Sequence, residues 1–426
     1  MGLVALFVSL VIFILIGIPI AYSLGGAGIV YMVATNPSFL MSFPQRIWSG
    51  LDSFIIIAMP LFMLSGELMN HGGLTKRLIN FSLLLVKPLK GGLGEVNVVA
   101  SMVFGGITGS SVADTSALGS ILIPDMIKKG YSKGFSTGVT VASSTVGMII
   151  PPSIPMLMFA MISGVSVGKL FMAGLIPGLL VGFTQLILTW VISQKRGYHD
   201  FKMDEEKGGN LKIAKDGILA VLMPVMILVT VTSGIATASE SAAIAVLYAF
   251  ILGAFVYKEL KWKHILMSLK KTGIMTASIM IIGGFTMIFT WILAIEQIPN
   301  KLADLILGSS IPVWVIYLLF DLLILLLGTF LDVVPCILLI APILMPVMQK
   351  LGMDPLQFGI ILVVGLAIGL VTPPVGMCLN VASKISGMSL IDVFKEAIPF
   401  LGCNVIVLFM VTFIPQLSLW LPDLLL

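Results

Sequence analysis

The chain of 426 residues is 58% hydrophobic and only 10% charged, and its mean hydropathy is +1.13. This composition excludes a soluble globular protein, because a surface in contact with water needs many more polar side chains. The net charge of +4 is distributed along the chain without a basic patch, so it gives no indication of nucleic-acid binding. The three cysteines lie in apolar segments without metal-ligand or disulfide spacing, and we interpret them as small buried hydrophobic residues.

The sequence predicts an all-helical, multi-span membrane protein with two similar halves. Uncharged segments of about 20 residues are long enough to cross a bilayer as helices, and lipid-exposed backbone must satisfy its own hydrogen bonds. The first half, 1–194, is predicted to contain spans 2–17, 21–35 and 51–69, hairpin 97–127, broken span 135–165 and span 170–193. After a predicted cytoplasmic loop at 195–216, the second half, 217–426, is predicted to contain spans 217–233, 237–257 and 272–295, hairpin 311–349, broken span 357–386 and span 397–422.

The two halves are related by a constant spacing, since restrictive residue types recur 222 positions apart. Four prolines and two glycines follow this rule: Pro124 and Pro346, Pro151 and Pro373, Pro152 and Pro374, Pro177 and Pro399, Gly130 and Gly352, and Gly147 and Gly369. Such a repeat indicates two copies of one structural unit. If each hairpin enters and leaves on one side, each half crosses the membrane five times. The second half is then inverted relative to the first.

The distribution of basic residues predicts the orientation of the chain. Most lysines and arginines fall in four connections that should share one side, at 70–91 (with Lys76, Arg77, Lys87 and Lys90), 125–134, 195–216 and 258–271. The opposite connections, 36–50 and 296–304, carry little beyond Arg46 and Lys301. By the positive-inside rule the rich side is cytoplasmic. The first hairpin is therefore predicted to open to the cytoplasm and the second to the periplasm.

A pair of prolines interrupts each of two otherwise uncharged spans, at Pro151-Pro152 and Pro373-Pro374. Each proline removes a backbone donor and disfavours helical geometry in the residue before it. A break within the membrane is tolerated only where the freed groups line a cavity or bind something. Paired broken helices in two repeats indicate a transporter site with carbonyls for a cation and helix N-termini for an anion. We predict that these four prolines, Ser153 and Asn380 contact the substrate.

The predicted hairpin tips are rich in small and hydroxyl-bearing residues, as in GGITGSSVADTSALGS (105–120) and GTFLD (328–332). Hydroxyl and carbonyl oxygens are the ligands that a hard cation such as sodium prefers. Carboxylates are costly inside a membrane, so the two aspartates have either a direct role in transport or a structural one, bonding to hairpin amides. We predict one sodium ion per half, the first held by Ser110, Ser111, Asp114 and the backbone near Ser144 and Thr145, the second by Gly328, Thr329, Asp332 and the backbone near Thr372. Close helix packing is the alternative explanation of the small residues.

Basic residues are predicted to lie outside the core of the protein. Arg46, Arg77 and Arg196 are the three arginines, so no arginine fork in the core binds a carboxylate. An anionic substrate would depend on helix N-termini, hydroxyls, Asn380 or a co-bound cation. Glu67, Glu95 and Glu240 lie near predicted span ends and are interpreted as capping or snorkelling residues.

Three motifs carry a family resemblance. GGITGSSVADTSALGSILIP (105–124), IIPPSIP (149–155) and IGLVTPPVG (368–376), together with the repeat, resemble the large, DctM-like membrane subunit of tripartite ATP-independent periplasmic (TRAP) transporters. The resemblance covers essentially the whole chain. It implies a bacterial inner-membrane importer of an organic acid, such as a sialic acid or a C4-dicarboxylate, driven by sodium and needing no cofactor. It also implies an elevator mechanism, in which a hairpin-bearing transport domain slides against a scaffold.

The same resemblance implies two protein partners, a periplasmic substrate-binding protein and a separate small membrane subunit of four helices. The main alternative is a stand-alone ion-coupled carboxylate symporter or antiporter of the same architecture. A channel is a second alternative. An intramembrane enzyme is disfavoured, because His71, His199 and His264 are predicted to lie in loops and no nucleophile and base share a span.

Overall fold

The computed structural model describes residues 2–86, 92–198 and 209–426, which are helical throughout most of their length. Nine segments of these described ranges are long and apolar enough to span a membrane. The predicted all-helical membrane fold is thus confirmed. Lys87, Lys90, His199 and positions 200–208 of the predicted loop lie outside the described residues.

The helices of the first half are α1 (Gly2–Leu15), α2 (Ile20–Thr35), α3 (Phe43–Leu51), α4 (Phe54–His71), α5 (Leu74–Val86), α6 (Leu93–Thr108), α7 (Ser111–Lys128), α8 (Lys133–Ser143), α9 (Val146–Ile149), α10 (Ile154–Ser163) and α11 (Val167–Arg196), with a 3-10 helix at Pro37–Ser42. The helices of the second half are α12 (Gly209–Thr232), α13 (Ala238–Ile251), α14 (Trp262–Ile295), α15 (Ile298–Leu307), α16 (Val313–Phe330), α17 (Val333–Lys350), α18 (Pro355–Gly369), α19 (Met377–Ser386), α20 (Leu390–Phe413) and α21 (Gln416–Leu425), with a π-helical turn at Leu252–Val256.

Hydroxyl side chains begin many of these helices. Ser132, Ser166 and Ser389 each accept a hydrogen bond from an amide in the first turn of the helix that follows. The first amides of a helix have no partner within the helix, and in lipid no water replaces it. Glycines with positive φ, such as Gly164 and Gly197, end α10 and α11.

The helix boundaries repeat at the spacing found in the sequence. α7 and α17 begin and end 222 residues apart, and each is the second helix of a hairpin whose first helix is α6 or α16. The broken span consists of α8, α9 and α10 in the first half and of α18 and α19 in the second. The final long helices are α11 and α20.

The hairpins and broken helices of the two halves interlock. α10 packs against α17, and α19 packs against α7, so the second segment of each broken helix lies on the hairpin of the other half. Phe159 of α10 and Phe320 of α16 both pack against the ring of Phe358 in α18, at centroid distances of 5.8 and 5.0 Å. One apolar core therefore includes both halves. We call α6–α11 and α16–α20 the hairpin group.

The remaining spans form an outer group, which consists of α1–α4 and α12–α14. α4 packs against α13, and α14 packs against α2 and α3, so this group also combines the two halves. The outer spans are less buried than the broken ones. In Lys133–Ser163, 89% of the most apolar window is buried, compared with 28% in Gly209–Thr232. The broken helix is therefore enclosed by protein, whereas Gly209–Thr232 presents most of its surface outward.

Several connections expected from the sequence to be loops contain helices. α5 lies within 70–91, α3 begins within 36–50 and ends at Leu51, and α15 begins within 296–304 and ends at Leu307. In α5 the buried residues Leu74, Leu78, Ser82 and Val86 recur every four positions, which places them on one face. Such short amphipathic helices are too polar to be read as spans, and their single apolar face is easily missed.

The last predicted span, 397–422, is divided into two helices rather than one. α20 ends at Phe413 and α21 begins at Gln416. The residue before a proline is pushed out of helical geometry, and Ile414, which precedes Pro415, has a ψ of 83°.

Two contacts between glycine backbones hold the hairpins against the broken helices. A Cβ atom on Gly105 would fall on the backbone of Gly147, and one on Gly369 would fall on the backbone of Gly328. We expect Gly105→Ala and Gly369→Ala to lower the free energy of unfolding by about 1–3 kcal/mol each, because the helices must move apart. Gly402→Ala is the matched control, since its Cβ would meet nothing within 4 Å. Thermal unfolding in detergent measures this, and equal stability of the three variants would contradict the contact.

Candidate functional site

Each hairpin tip contacts the proline break of its own half. At the first tip Gly109 has a φ of +59°, and a Cβ there would lie 2.9 Å from the amide nitrogen of Ile154 and 3.0 Å from the carbonyl oxygen of Pro152. At the second tip the amide of Val375 donates to the carbonyl of Thr329 over 3.3 Å. The structure thus brings together the predicted tips and breaks, half by half.

The first predicted cation region contains buried oxygen atoms without partners. Within the described residues, neither the Ser111 hydroxyl nor either carboxylate oxygen of Asp114 has a hydrogen bond of normal geometry, and both side chains are buried. Asp114 faces the first break, because a Cβ on Gly147 would lie 3.5 Å from its Oδ2. Buried polar atoms usually have partners, so unpaired oxygens call for a bound ion, water or proton.

The other predicted ligands of the first ion are only partly free. Ser110 caps α7, where its hydroxyl accepts from the Ala113 amide over 3.4 Å. The hydroxyls of Ser144 and Thr145 donate to the carbonyls of Val141 and Ala142 over 2.7 and 2.6 Å. These donations use the hydroxyl protons and leave oxygen lone pairs that can still accept or coordinate.

The second predicted cation region differs in its chemistry. The Thr329 hydroxyl donates to the carbonyl of Leu326 over 2.8 Å, and that of Thr372 donates to Ile368 over 2.9 Å. Gly328 is buried against the broken helix, whereas Asp332 is exposed. The carboxylate of Asp332 caps α17 by accepting from the Val333 amide over 2.7 Å. This cap accounts for the carboxylate without a bound ion.

The two aspartates do not occupy corresponding positions. At the repeat spacing, Asp332 matches Ser110, since both cap the second hairpin helix, and Asp114 matches Cys336. Cys336 is fully buried, as expected of a small apolar residue. Asp332 thus lies at the second hairpin tip, as predicted, but in the position of Ser110 and not in that of Asp114.

The predicted substrate residues lie in different environments. Pro151, Pro152 and Ser153 are buried, and the Ser153 hydroxyl donates to the Met148 carbonyl over 2.5 Å and accepts from the Met156 amide. Ser153 is thus the cap of α10. At the second break Pro373 is half-buried, whereas Pro374 and Asn380 are exposed. The Asn380 side-chain amide donates to the Val375 carbonyl over 2.6 Å. The peptide bond within each proline pair is cis.

Buried amide side chains, which the sequence analysis did not single out, connect the helices around the first break. Asn97 of α6 donates to Thr140 over 2.5 Å, and Gln185 of α11 donates to Asn404 of α20 over 2.7 Å. Asn404 in turn donates to Thr145 over 3.0 Å. The presence of amide side chains within otherwise apolar spans could have indicated this network, since membrane interiors keep such groups only where they have hydrogen-bond partners.

A cavity of about 250 Å³ lies at the boundary between the outer group and the first hairpin tip. Thr108 and Ser110 line it from the tip, Asn70 and Glu67 from α4, and Lys271 from α14. Glu67 and Lys271 form an ion pair. Glu67 was interpreted as a capping or snorkelling residue and Lys271 was assigned to a cytoplasmic connection, yet both side chains face this cavity. Helix α14 begins nine residues before Lys271, which carries the lysine roughly 13 Å along the helix axis.

Two repeats that each pair a helical hairpin with a proline-broken helix define a secondary transporter. The family model of the DctM component of tripartite ATP-independent periplasmic transporters matches residues 7–417. The chain belongs to this family, and it is a large permease subunit of the multi-pass, inner-membrane type. The resemblance carried by the three motifs is thus confirmed.

Characterised relatives carry the names of different substrates. The chain is 37% identical to the sialic acid TRAP transporter large permease protein of Vibrio cholerae, over 96% of the chain and 95% of that protein. It is 35% identical to the C4-dicarboxylate large permease of Pseudomonas aeruginosa, over 94% of both. It is 34% identical to the isethionate permease protein DctMQ of Oleidesulfovibrio alaskensis, over 97% of the chain and 65% of that protein.

A solved structure supports the fold. The YdaH transporter of Alcanivorax borkumensis matches with a TM-score of 0.64 and 16% identity, covering 90% of each chain. At this identity the likeness concerns the arrangement of helices alone.

The amide network around Asn404 yields a stability prediction. We expect Asn404→Leu to lower the free energy of unfolding by about 1–3 kcal/mol, because Gln185 and Thr145 lose a buried partner. Gln185→Leu in addition should restore part of the loss, since an apolar pair leaves fewer unpaired groups. Asn300→Leu, at an exposed position, is the control. Thermal unfolding of the wild type, both single variants, the double variant and the control measures this, and a strictly additive double variant would argue against the network.

Proposed function

We propose that this permease subunit imports a small organic acid, driven by a sodium gradient, together with a periplasmic substrate-binding protein and a small membrane subunit. The observation that carries the sodium proposal is the group of unpaired oxygens of Ser111 and Asp114 beside the first break. Oxygen ligands in a site closed to water favour a hard cation. Family membership supports the three-component assembly, since the family is described as tripartite.

The substrate class follows from chemistry that the relatives share. Sialic acid, C4-dicarboxylates and isethionate, which are named for three relatives, are all small organic anions. Helix N-termini that meet at the breaks favour negative charge. In this chain α10 begins at Ile154 beside the first tip, and α19 begins at Met377 after the second break. These features support an anionic substrate and do not select among the three.

An elevator movement fits the division of the helices into two groups. The hairpins and broken helices of the two halves interlock, which favours displacement as a unit. Their apolar core also contacts α4, α12 and α13 of the outer group. The outer group has a further small core around Leu24, Met32 and Ile288. The cavity lies on the boundary between the groups, where a sliding hairpin group would open and close it.

Reconstitution distinguishes the tripartite importer from a stand-alone symporter. In proteoliposomes we expect uptake of labelled sialic acid, succinate or isethionate only when the chain is combined with its small subunit and binding protein. An inward sodium gradient should be required, and dissipating it with an ionophore should abolish net uptake. Uptake of free substrate by the chain alone would support the stand-alone alternative, and flux without any gradient dependence would support a channel.

The predicted ligands give a sharper test of sodium coupling. We expect Asp114→Asn, Ser110→Ala and Thr329→Val to raise the sodium concentration for half-maximal uptake, roughly tenfold for Asp114→Asn, which removes a charged ligand. Ser120→Ala is the control, because this exposed hydroxyl of the same hairpin only donates to Ala117. If the folded variants keep the wild-type sodium dependence, the proposed cation sites are wrong.

A further inference from the structure

We propose that Lys271 is an anion-binding subsite on the wall of the cavity, at which the acidic group of the transported molecule displaces Glu67. This inference rests on the proposed import of an organic anion, and Lys271 is the positively charged group that would bind that anion. Glu67 and Lys271 are the two charged residues among those lining the cavity. Arginine is absent from this lining, so lysine is the cationic group available there.

The geometry of the ion pair leaves the lysine accessible. The side chain of Lys271 is 54% exposed, whereas that of Glu67 is 12% exposed. An ammonium group has three donors and acts as a compact point charge. It can therefore bind a carboxylate or a sulfonate without the fixed alignment that a guanidinium requires. Because Glu67 is largely buried, the exchange requires another polar partner for its carboxylate.

The carboxylate of Glu67 has a second polar group nearby, the imidazole of His71, when it leaves Lys271. Its Oε2 is buried without a hydrogen bond among the described residues and lies 3.9 Å from Nδ1 of His71, one turn further along α4. The same ring nitrogen lies 3.4 Å from the hydroxyl of Ser268 and 3.0 Å from the Glu67 carbonyl. When an anion takes Lys271, the carboxylate can turn towards this imidazole, whose protonated form would offset its charge.

The hairpin tip faces the lysine across the cavity. Ser110 and Thr108 line the opposite wall, and the Thr108 hydroxyl is buried without a partner among the described residues. An anion in the cavity can thus contact hydroxyls of the hairpin group on one side and the Lys271 ammonium of the outer group on the other. The cavity lies near the end of α4 and beside the part of α14 that starts nine residues after its first residue, towards the connections predicted to be cytoplasmic.

A second ion pair at the same end of the outer group provides a structural comparison. Arg77 binds Glu259 over 2.8 Å and stacks 3.8 Å above the ring of Tyr257. Neither Arg77 nor Glu259 lines the cavity. This pair ties helices together, and its loss should affect stability without changing anion affinity.

The experiment compares the two sides of the Glu67–Lys271 pair. Sialic acid, succinate and isethionate are titrated separately against the purified, detergent-solubilised subunit, with binding measured by calorimetry. We expect Lys271→Gln to weaken binding of the recognised anion roughly tenfold, the loss of one charge-assisted hydrogen bond. Glu67→Gln should tighten binding several-fold, because the competing carboxylate is gone. Lys271→Arg should retain most of the affinity.

Matched controls are Lys270→Gln, at the exposed neighbour of Lys271, and Glu259→Gln, in the pair that lies off the cavity. Both should bind like the wild type.

If the Glu67–Lys271 pair has a structural role alone, Glu67→Gln and Lys271→Gln should change thermal stability alike and shift affinity in the same direction or not at all. This result would overturn the subsite. So would wild-type protein that binds none of the three anions. Normal sodium-driven uptake by both variants would reject the subsite and leave the proposed function intact, whereas no uptake by wild-type vesicles would count against the function itself.

Discussion

The backbone groups freed by the two double-proline breaks must be satisfied by protein, since lipid offers them no hydrogen bonds. The interlocking of the halves meets this requirement. Each broken helix has its first segment against its own hairpin and its second segment against the hairpin of the other half. Neither half could enclose its break alone. The breaks therefore explain why the repeats form one hairpin group instead of two separate bundles.

Enclosure also explains where the polar side chains of the core are found. Gln185 and Asn404 lie beside the first break and bond to each other, so two final helices from different halves are fixed around one irregular segment. The two breaks lie in the same arrangement of helices but are surrounded by different side chains. Asp114 is buried at the first, whereas the repeat position at the second holds Cys336. A buried carboxylate without a hydrogen-bond partner is found beside the first break, whereas Asp332 near the second break caps α17, so the two candidate cation regions differ in chemistry.

The sequence predicted those features that depend on local chemistry or on the repeat. Proline pairs determine the breaks, and small residues determine the tips, so both could be located without coordinates. Composition left two roles open for Asp332, a cation ligand or a bond to hairpin amides, and the register of the hairpin shows that it caps α17. Glu67 and Lys271 lie 204 positions apart and belong to different halves, so their pairing depends on how α4 and α14 pack. The same is true of the amide network.

The placement of charge on the cavity walls bears on how an anion would be released. In the proposed movement the hairpin group carries Ser110 and Thr108 along, while Lys271 stays with the outer group. A fixed cation beside a moving, neutral set of hydroxyls attracts the anion only in the position where the two walls face each other. Because Glu67 competes for the same ammonium, the attraction remains weak enough for the anion to leave. A permanent, uncompensated lysine would instead hold the anion and slow each cycle.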